Sequence, residues 1–136
     1  MCTGNQCRSP MVEAMLRRDL EALGVPAKVS SAGTLDGEHP ASEEVVELMA
    51  KRGLDVRGHR SRPITPGLLT SSDLVLGMAR EHVREAVVLA PNVLGRSFTL
   101  KELVRRGREL GPRDATEPLE AWLARAAQHR PPTAHL

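Results

Sequence analysis

Residues 2–24 read CTGNQCRSPMVEAMLRRDLEALG, and two patterns of different kind meet in them. The first part sets a cysteine, Cys2, with five residues between it and an Arg8-Ser9 pair, the last of them a second cysteine, Cys7. The second part repeats apolar side chains at Val12, Met15 with Leu16, Leu20 and Leu23, the spacing of one helix face. Ser9-Pro10 at the junction predicts a helix start, with serine as N-cap and proline where a missing N–H costs nothing. Gly24, followed by Pro26, predicts its stop. A helix therefore aims its N-terminus back at a tight, cysteine-bearing turn.

That placement has chemical consequences. A cysteine attacks only as thiolate, and a free thiol with a pKa of about 8.5 is mostly protonated near neutrality. The positive end of the helix and the successive backbone N–H groups of Thr3, Gly4, Asn5, Gln6, Cys7 and Arg8 can be aimed at one spot, and are expected to cradle an anion. The same cradle suits a thiolate and a phosphate. Arg8 offers a planar fork of donors able to grip two phosphate oxygens. Gly4 is expected to supply backbone angles that side chains forbid, and Asn5 tolerates the left-handed region. Ser9 can donate to the sulfur, lowering its pKa and easing its departure.

Outward from this turn, helices alternate with short apolar segments. Residues 27–34 (AKVSSAGT) read as a strand running into a glycine turn. Residues 41–53 read as a helix capped by Ser42, with Glu43 and Glu44 in its first turn and Gly53 at its end. Residues 54–71 are loop-like, with a short helical turn started by Thr65-Pro66. Residues 72–78 (SDLVLGM) are apolar without alternation, as in a strand covered on both faces. A helix over 80–89, a strand near 97–100, a helix from 101 to 110, a loop (GPRDATEP), a helix (LEAWLARAAQ) and a frayed tail (HRPPTAHL) complete the chain. The alternation predicts an α/β fold, a three-layer sandwich with a short, mostly parallel twisted sheet flanked by helices.

The bulk numbers narrow the function classes. At 136 residues, with 40% apolar and 26% charged residues, the chain has the length and composition of a single globular domain. With no Tyr, one Phe and one Trp, the core must come from Leu, Val, Ala and Met. A net charge of +2 without aromatic stacking partners gives no case for nucleic acid, and no apolar run predicts a membrane span. Two cysteines make neither a disulfide framework nor a metal site. No metal or other cofactor is expected, the expected location is the cytoplasm, and the sequence says nothing of oligomeric state. His39, His82, His129 and His135 show no ligand spacing and are expected to face solvent. Arg17-Arg18 and Arg105-Arg106 are expected to be solvated helix faces, and Trp122, spaced with Leu119 and Leu123, a core residue.

Cys2 to Pro10, CTGNQCRSP, resembles the signature of the low-molecular-weight protein tyrosine phosphatases. SSAGT (30–34), GHRSRPIT (58–65) and SDLVLGMAREHV (72–83) resemble that family's later landmarks in order and spacing. The resemblance implies a phosphatase I-like fold and a phosphomonoester hydrolase working through a cysteinyl-phosphate. Its substrate would be a phosphotyrosine-containing protein or a small aryl phosphate. By position, Cys2 would be the nucleophile, Arg8 the phosphate clamp and Ser9 the group that assists the thiolate. Asn5, Ser31 and His59 would support the loop, and Cys7 would be a second thiol able to cap the nucleophile reversibly under oxidation.

The chain departs from the family pattern twice. Only Met1 precedes Cys2, where the family has a hydrophobic strand, and no Asp-Pro pair occurs to serve as general acid. Asp114, in PRDATEP, is the nearest acidic candidate by chain position but lacks the proline. The expectation is one phosphatase-like domain over 1–136, incomplete at both ends as a piece of a longer enzyme, and weakly active or inactive by itself. Three alternatives stand beside this. One is a phosphate or phosphopeptide binder that has lost turnover. An arsenate-reductase-like enzyme is another, though it would need cysteines after Cys7. The last is a redox-sensing dithiol formed by Cys2 and Cys7.

Overall fold

The computed structural model describes residues 1–128 and 130. The chain divides into two compact units, Met1–Pro63 and Ile64–Leu136. Helices α1 (Arg8–Ala22) and α2 (Glu43–Lys51) dominate the first. Both end as the glycines demand. Gly24 and Gly53 take φ of 69° and 74°, and paired backbone bonds close each helix: Gly24 N–H to Glu21 O with Val25 N–H to Leu20 O, and Gly53 N–H to Ala50 O with Leu54 N–H to Met49 O. Those bonds satisfy carbonyls the helices would otherwise leave open. Ser42 caps α2 as expected, its hydroxyl accepting from Val45 N–H. A core of Ala41, Val45, Met49 and Val56 forms beneath α2, and Met11, Ala14 and Met15 of α1 pack against it. Methionine fills the volume that aromatic residues would otherwise take.

Two local expectations fail here. Ser9 is not the cap of α1: the helix begins at Arg8 with Cys7 at the N-cap, and no side chain caps it. The Ser9 hydroxyl is engaged elsewhere, with Cys2 and Asn5. Residues 27–34 form no strand. Pairing is confined to Gly33, which bridges Cys2 on one side and Pro63 on the other, both parallel. Gly33 N–H donates to Arg62 O and Thr34 N–H to Cys2 O, but residues 25–28 are exposed and find no ladder partner. An apolar pattern becomes a strand only where a neighbouring chain takes up its backbone groups.

The second unit holds the α/β element. Strands β1 (Val75–Gly77) and β2 (Ser97–Thr99) pair in parallel, with Val75 opposite Ser97 and Gly77 opposite Thr99. The connection runs through α4 (Arg80–Leu89) and a 3₁₀ helix (Pro91–Arg96) that the sequence did not announce. Thr65 starts α3 (Pro66–Thr70) by accepting from Leu68 N–H, and Thr99 starts α5 (Leu100–Leu110) by accepting from Glu102 N–H. Helix α6 (Leu119–Ala127) follows the loop. Phe98, Leu123 and Ala126 form the core, with Trp122 packed half-buried against it as expected.

Of the histidines, His39 is exposed as expected, while His82 is fully buried. Its Nδ1 accepts from Ala79 N–H at 3.0 Å, so the imidazole caps α4 where Ala79 has no side-chain acceptor to offer. His129, His135 and the tail beyond Arg130 lie outside the described residues. Arg130 itself stacks over the Phe98 ring at 4.1 Å, pairs with Glu102 at 2.8 Å and donates to Ser97 O.

Candidate active site

The site is built within the first unit, and the turn before α1 carries it. Cys2 is 3% exposed, while Asn5 and Ser9 are closed to solvent. Cys2 Sγ lies 3.0 Å from Ser9 Oγ. Asn5 Nδ2 donates to Ser9 Oγ and to Ser31 Oγ, each at 2.9 Å. A hydroxyl has a single proton, so Ser9, accepting from Asn5, is left with that proton to direct at the sulfur. Asn5 also accepts at Oδ1 from Arg62 N–H at 3.1 Å. His59 Nε2 meets the Asn5 carbonyl at 2.6 Å, and because a carbonyl only accepts, the ring proton sits on Nε2. Asn5, Ser9, Ser31 and His59 therefore form one hydrogen-bonded cluster around Cys2.

The backbone of the turn is pinned from outside. Cys2 O accepts from Thr34 N–H, Thr3 O from Thr34 and Leu35 N–H, Gln6 O from Ser42 N–H and Cys7 O from Met11 N–H. With its carbonyls taken up by these donors, the loop is held in one shape. Asn5 occupies the left-handed region at φ 52°, as expected. Gly4 does not: its φ is not positive, and a Cβ there would meet only Gln6 Nε2 at 3.9 Å. The left-handed turn is made one residue later, by a side chain whose own hydrogen bonds hold it there.

These contacts act on the thiol in opposite senses. Burial pushes the Cys2 pKa up, while the Ser9 hydroxyl and the N–H groups of Ser9 and Asn5 stabilise the anion, and the net result lies below the ordinary thiol value. Cys7 is exposed, its thiol 3.4 Å from Ser42 Oγ, and both cysteines are free. Arg8 is exposed and its guanidinium, among the described residues, makes no hydrogen bond or ion pair. No group of three or more His, Cys, Asp or Glu side chains among the described residues could hold a metal ion.

Three contributors escaped the sequence reading. Arg62 reaches the loop by its N–H to Asn5 Oδ1 and fixes the neighbouring Ser31 by its Nε to Ser31 O at 3.0 Å. Ser61 joins residues 37–39 to the His59 segment, donating to Gly37 O and accepting from His39 N–H. Gly33 is the tightest point: a Cβ there would stand 2.6 Å from Thr3 O and 2.9 Å from Asn5 Cβ. All three lie in SSAGT or GHRSRPIT, so the signal was present without a structural reason attached. Gly33→Ala is expected to cost about 1–3 kcal/mol of stability, because backbone must shift to admit the methyl. Urea unfolding checks it, and an unchanged midpoint would show the loop to be looser than these distances imply.

The family model for low molecular weight phosphotyrosine protein phosphatase matches residues 1–121. The chain belongs to this family. It is 34% identical over 134 residues to the low molecular weight protein-tyrosine-phosphatase Etp of Escherichia coli K12, covering 94% of this chain and 87% of that protein. Among solved structures, it superposes on a low molecular weight protein tyrosine phosphatase from T. tengcongensis with a TM-score of 0.69 at 34% identity, covering 93% and 86% of the two chains. It also superposes on the YwlE arginine phosphatase of Bacillus subtilis, solved as a cysteine-to-serine variant with a phosphorylated active-site serine. That TM-score is 0.72 at 29% identity, covering 93% and 87%.

Within this phosphatase family the resemblance calls for an Asp-Pro general acid, and the sequence has none. Asp114 does not have the character of one. Its carboxylate accepts from the Thr116 hydroxyl and N–H at 2.6 and 2.8 Å, and these bonds hold its pKa below the usual carboxylate value. A general acid needs the opposite shift, toward the operating pH.

Proposed function

We propose that this phosphatase hydrolyses phosphomonoesters through a cysteinyl-phosphate on Cys2, with phosphotyrosine in proteins or small aryl phosphates as substrates. The observation that carries it is the convergence of the Ser9 hydroxyl and the Asn5 and Ser9 N–H groups on Cys2 Sγ. The Cys2 thiolate attacks phosphorus; an S–P bond forms and the P–O bond to the aryl group breaks, releasing the phenolate. Arg8 grips two of the phosphoryl oxygens while the amides of Thr3 through Arg8 surround the rest. Water then attacks phosphorus, losing one proton to solvent, and the S–P bond breaks to return the thiolate, with Ser9 donating to the departing sulfur. Asn5, Ser31 and His59 hold the loop in place throughout. The phosphorylated active-site serine in the YwlE variant supports a phosphoenzyme on the equivalent side chain.

The two units act together as one phosphatase domain, a reading supported by a family match that runs across both. Two free cysteines fit a cytoplasmic setting. The missing Asp-Pro favours a second reading, a phosphate binder with little turnover. General acid catalysis contributes about 10²–10⁴-fold, and most for poor leaving groups. Turnover by the 136-residue chain is therefore expected to be weak and to fall steeply as the leaving phenol becomes less acidic, slower with phosphotyrosine than with p-nitrophenyl phosphate. Rapid-quench assays across a series of aryl phosphates read this, with a burst of phosphocysteine for the most acidic phenols that fades as P–O cleavage becomes limiting. Phosphate-dependent thermal stabilisation without any burst would instead establish the binder. A phosphoarginine peptide belongs in the same series, since YwlE is named an arginine phosphatase; faster turnover of it than of every aryl phosphate would overturn the aryl assignment.

A further inference from the structure

Helix α5 sends Leu103 and Leu110 to the Phe98–Leu123 core, yet none of its residues is fully buried. Its solvent side carries an open groove of about 520 Å³ lined by Leu100, Lys101, Val104, Arg105, Arg108 and Glu109. Val104 is 45% exposed there. The adjacent arginines divide in role: Arg106 donates to Gln128 O at 3.3 Å, whereas Arg105 faces the groove. Among the described residues, the side chains of Lys101, Arg105 and Arg108 make no hydrogen bond or ion pair. Arg17, Arg57, Arg125 and Arg130, by contrast, each meet a carboxylate. The groove thus combines two aliphatic side chains one turn apart with three uncompensated cations at helical spacing, against the single acid Glu109.

We propose that this groove docks an acidic segment of a protein partner, one aliphatic side chain resting on Leu100 and Val104 and carboxylates facing Lys101, Arg105 and Arg108. Charge complementarity selects the acidic partner and steers its approach, while the apolar floor fixes its register. Glu109 repels a carboxylate at the C-terminal end of the groove, so the acidic residues lie toward Lys101 and Arg105. A lipid surface fits less well: interfacial helices present a broad apolar face, and here Leu103 and Leu110 are committed to the core. Single-stranded nucleic acid would want aromatic platforms, and the groove has none.

The test uses the whole 136-residue protein without substrate, so it is independent of turnover. A fluorescein-labelled peptide of glutamates flanking two leucines is titrated by anisotropy, beside a control in which serines replace the leucines and beside phosphatidylserine vesicles. Saturable binding is expected, weakened several-fold when salt rises from about 50 to 300 mM. Amide cross-peaks of residues 100–109 should shift, and Arg105→Glu with Arg108→Glu should weaken binding by about tenfold. Val104→Ser, which leaves the charge unchanged, should weaken it several-fold and guards against a charge-reversed variant that misfolds. Equal binding of the serine control, shifts centred on other residues, no binding, or tighter binding to the vesicles would each overturn the proposal.

Discussion

Replacing Cys2 by serine is expected to remove turnover of p-nitrophenyl phosphate by about 10⁴–10⁶-fold, the scale on which losing a nucleophile abolishes covalent catalysis. The two atoms differ in acidity more than in size. The contacts that hold the Cys2 thiol below its ordinary pKa stabilise a thiolate, but a serine hydroxyl stays protonated near neutrality in the same place. Binding should survive, since the amides and Arg8 are untouched, so inorganic phosphate should still protect the variant against heat. Slow transfer of a phosphoryl group to the new serine, seen by mass spectrometry, would match the phosphoserine of the YwlE variant. Residual turnover within tenfold of the parent would place the nucleophile elsewhere.

The same substitution carries a pH signature with a definite sign. Cys2 is an acid whose folded pKa is depressed, so the folded chain releases this proton more readily than the unfolded one. Its stabilising contribution is complete above the unfolded value of about 8.5 and is lost as pH falls through the folded value. The stability difference between parent and Cys2→Ser should therefore grow as pH rises across that window and level off above it. The rising limb of kcat/KM in the parent should fall in the same window, below the ordinary thiol midpoint.

What could be read in the sequence and what could not separate along physical lines. The helices were legible where local signals agree with periodicity: Ser42, Thr65, Gly24 and Gly53 each act as expected, because caps and left-handed stops depend on a few neighbouring residues. The strand expected over 27–34 failed because pairing depends on distant chain, and only Gly33 meets any. Ser9 shows how a tertiary contact overrides a local preference. The residue suits an N-cap, but its oxygen is taken by Cys2 and Asn5. His82 went the other way, from an expected surface residue to a buried cap, since Ala79 leaves α4 without one. The residues that cluster around Cys2 were visible through the motif. Arg62 and Gly33, which hold the loop from behind, became visible only as distances.

Asn5 is the position where stability and the proposed chemistry meet, and Asn5→Ala is expected to be the most damaging change outside Cys2. The substitution strands Arg62 N–H and leaves Ser9 and Ser31 without their donor, inside a cluster closed to solvent. Each group left unsatisfied costs about 1–3 kcal/mol. An alanine held at φ 52° adds about 1–2 kcal/mol of backbone strain. A loss of about 4 kcal/mol or more is a large share of the ~5–15 kcal/mol that holds a typical domain together. Glycine and aspartate at this position separate the causes. Asn5→Gly removes the same hydrogen bonds without the strain, so urea unfolding should find it less destabilised than alanine by about 1 kcal/mol. Asn5→Asp restores the acceptor for Arg62 N–H but places a carboxylate beside Ser9 and withdraws the donor that turns its proton toward sulfur. The Cys2 pKa should then rise, and the ascending limb of the pH–rate profile should move to higher pH. An aspartate variant with the parent's profile would mean that Ser9 orients itself, and that Asn5 serves the fold alone.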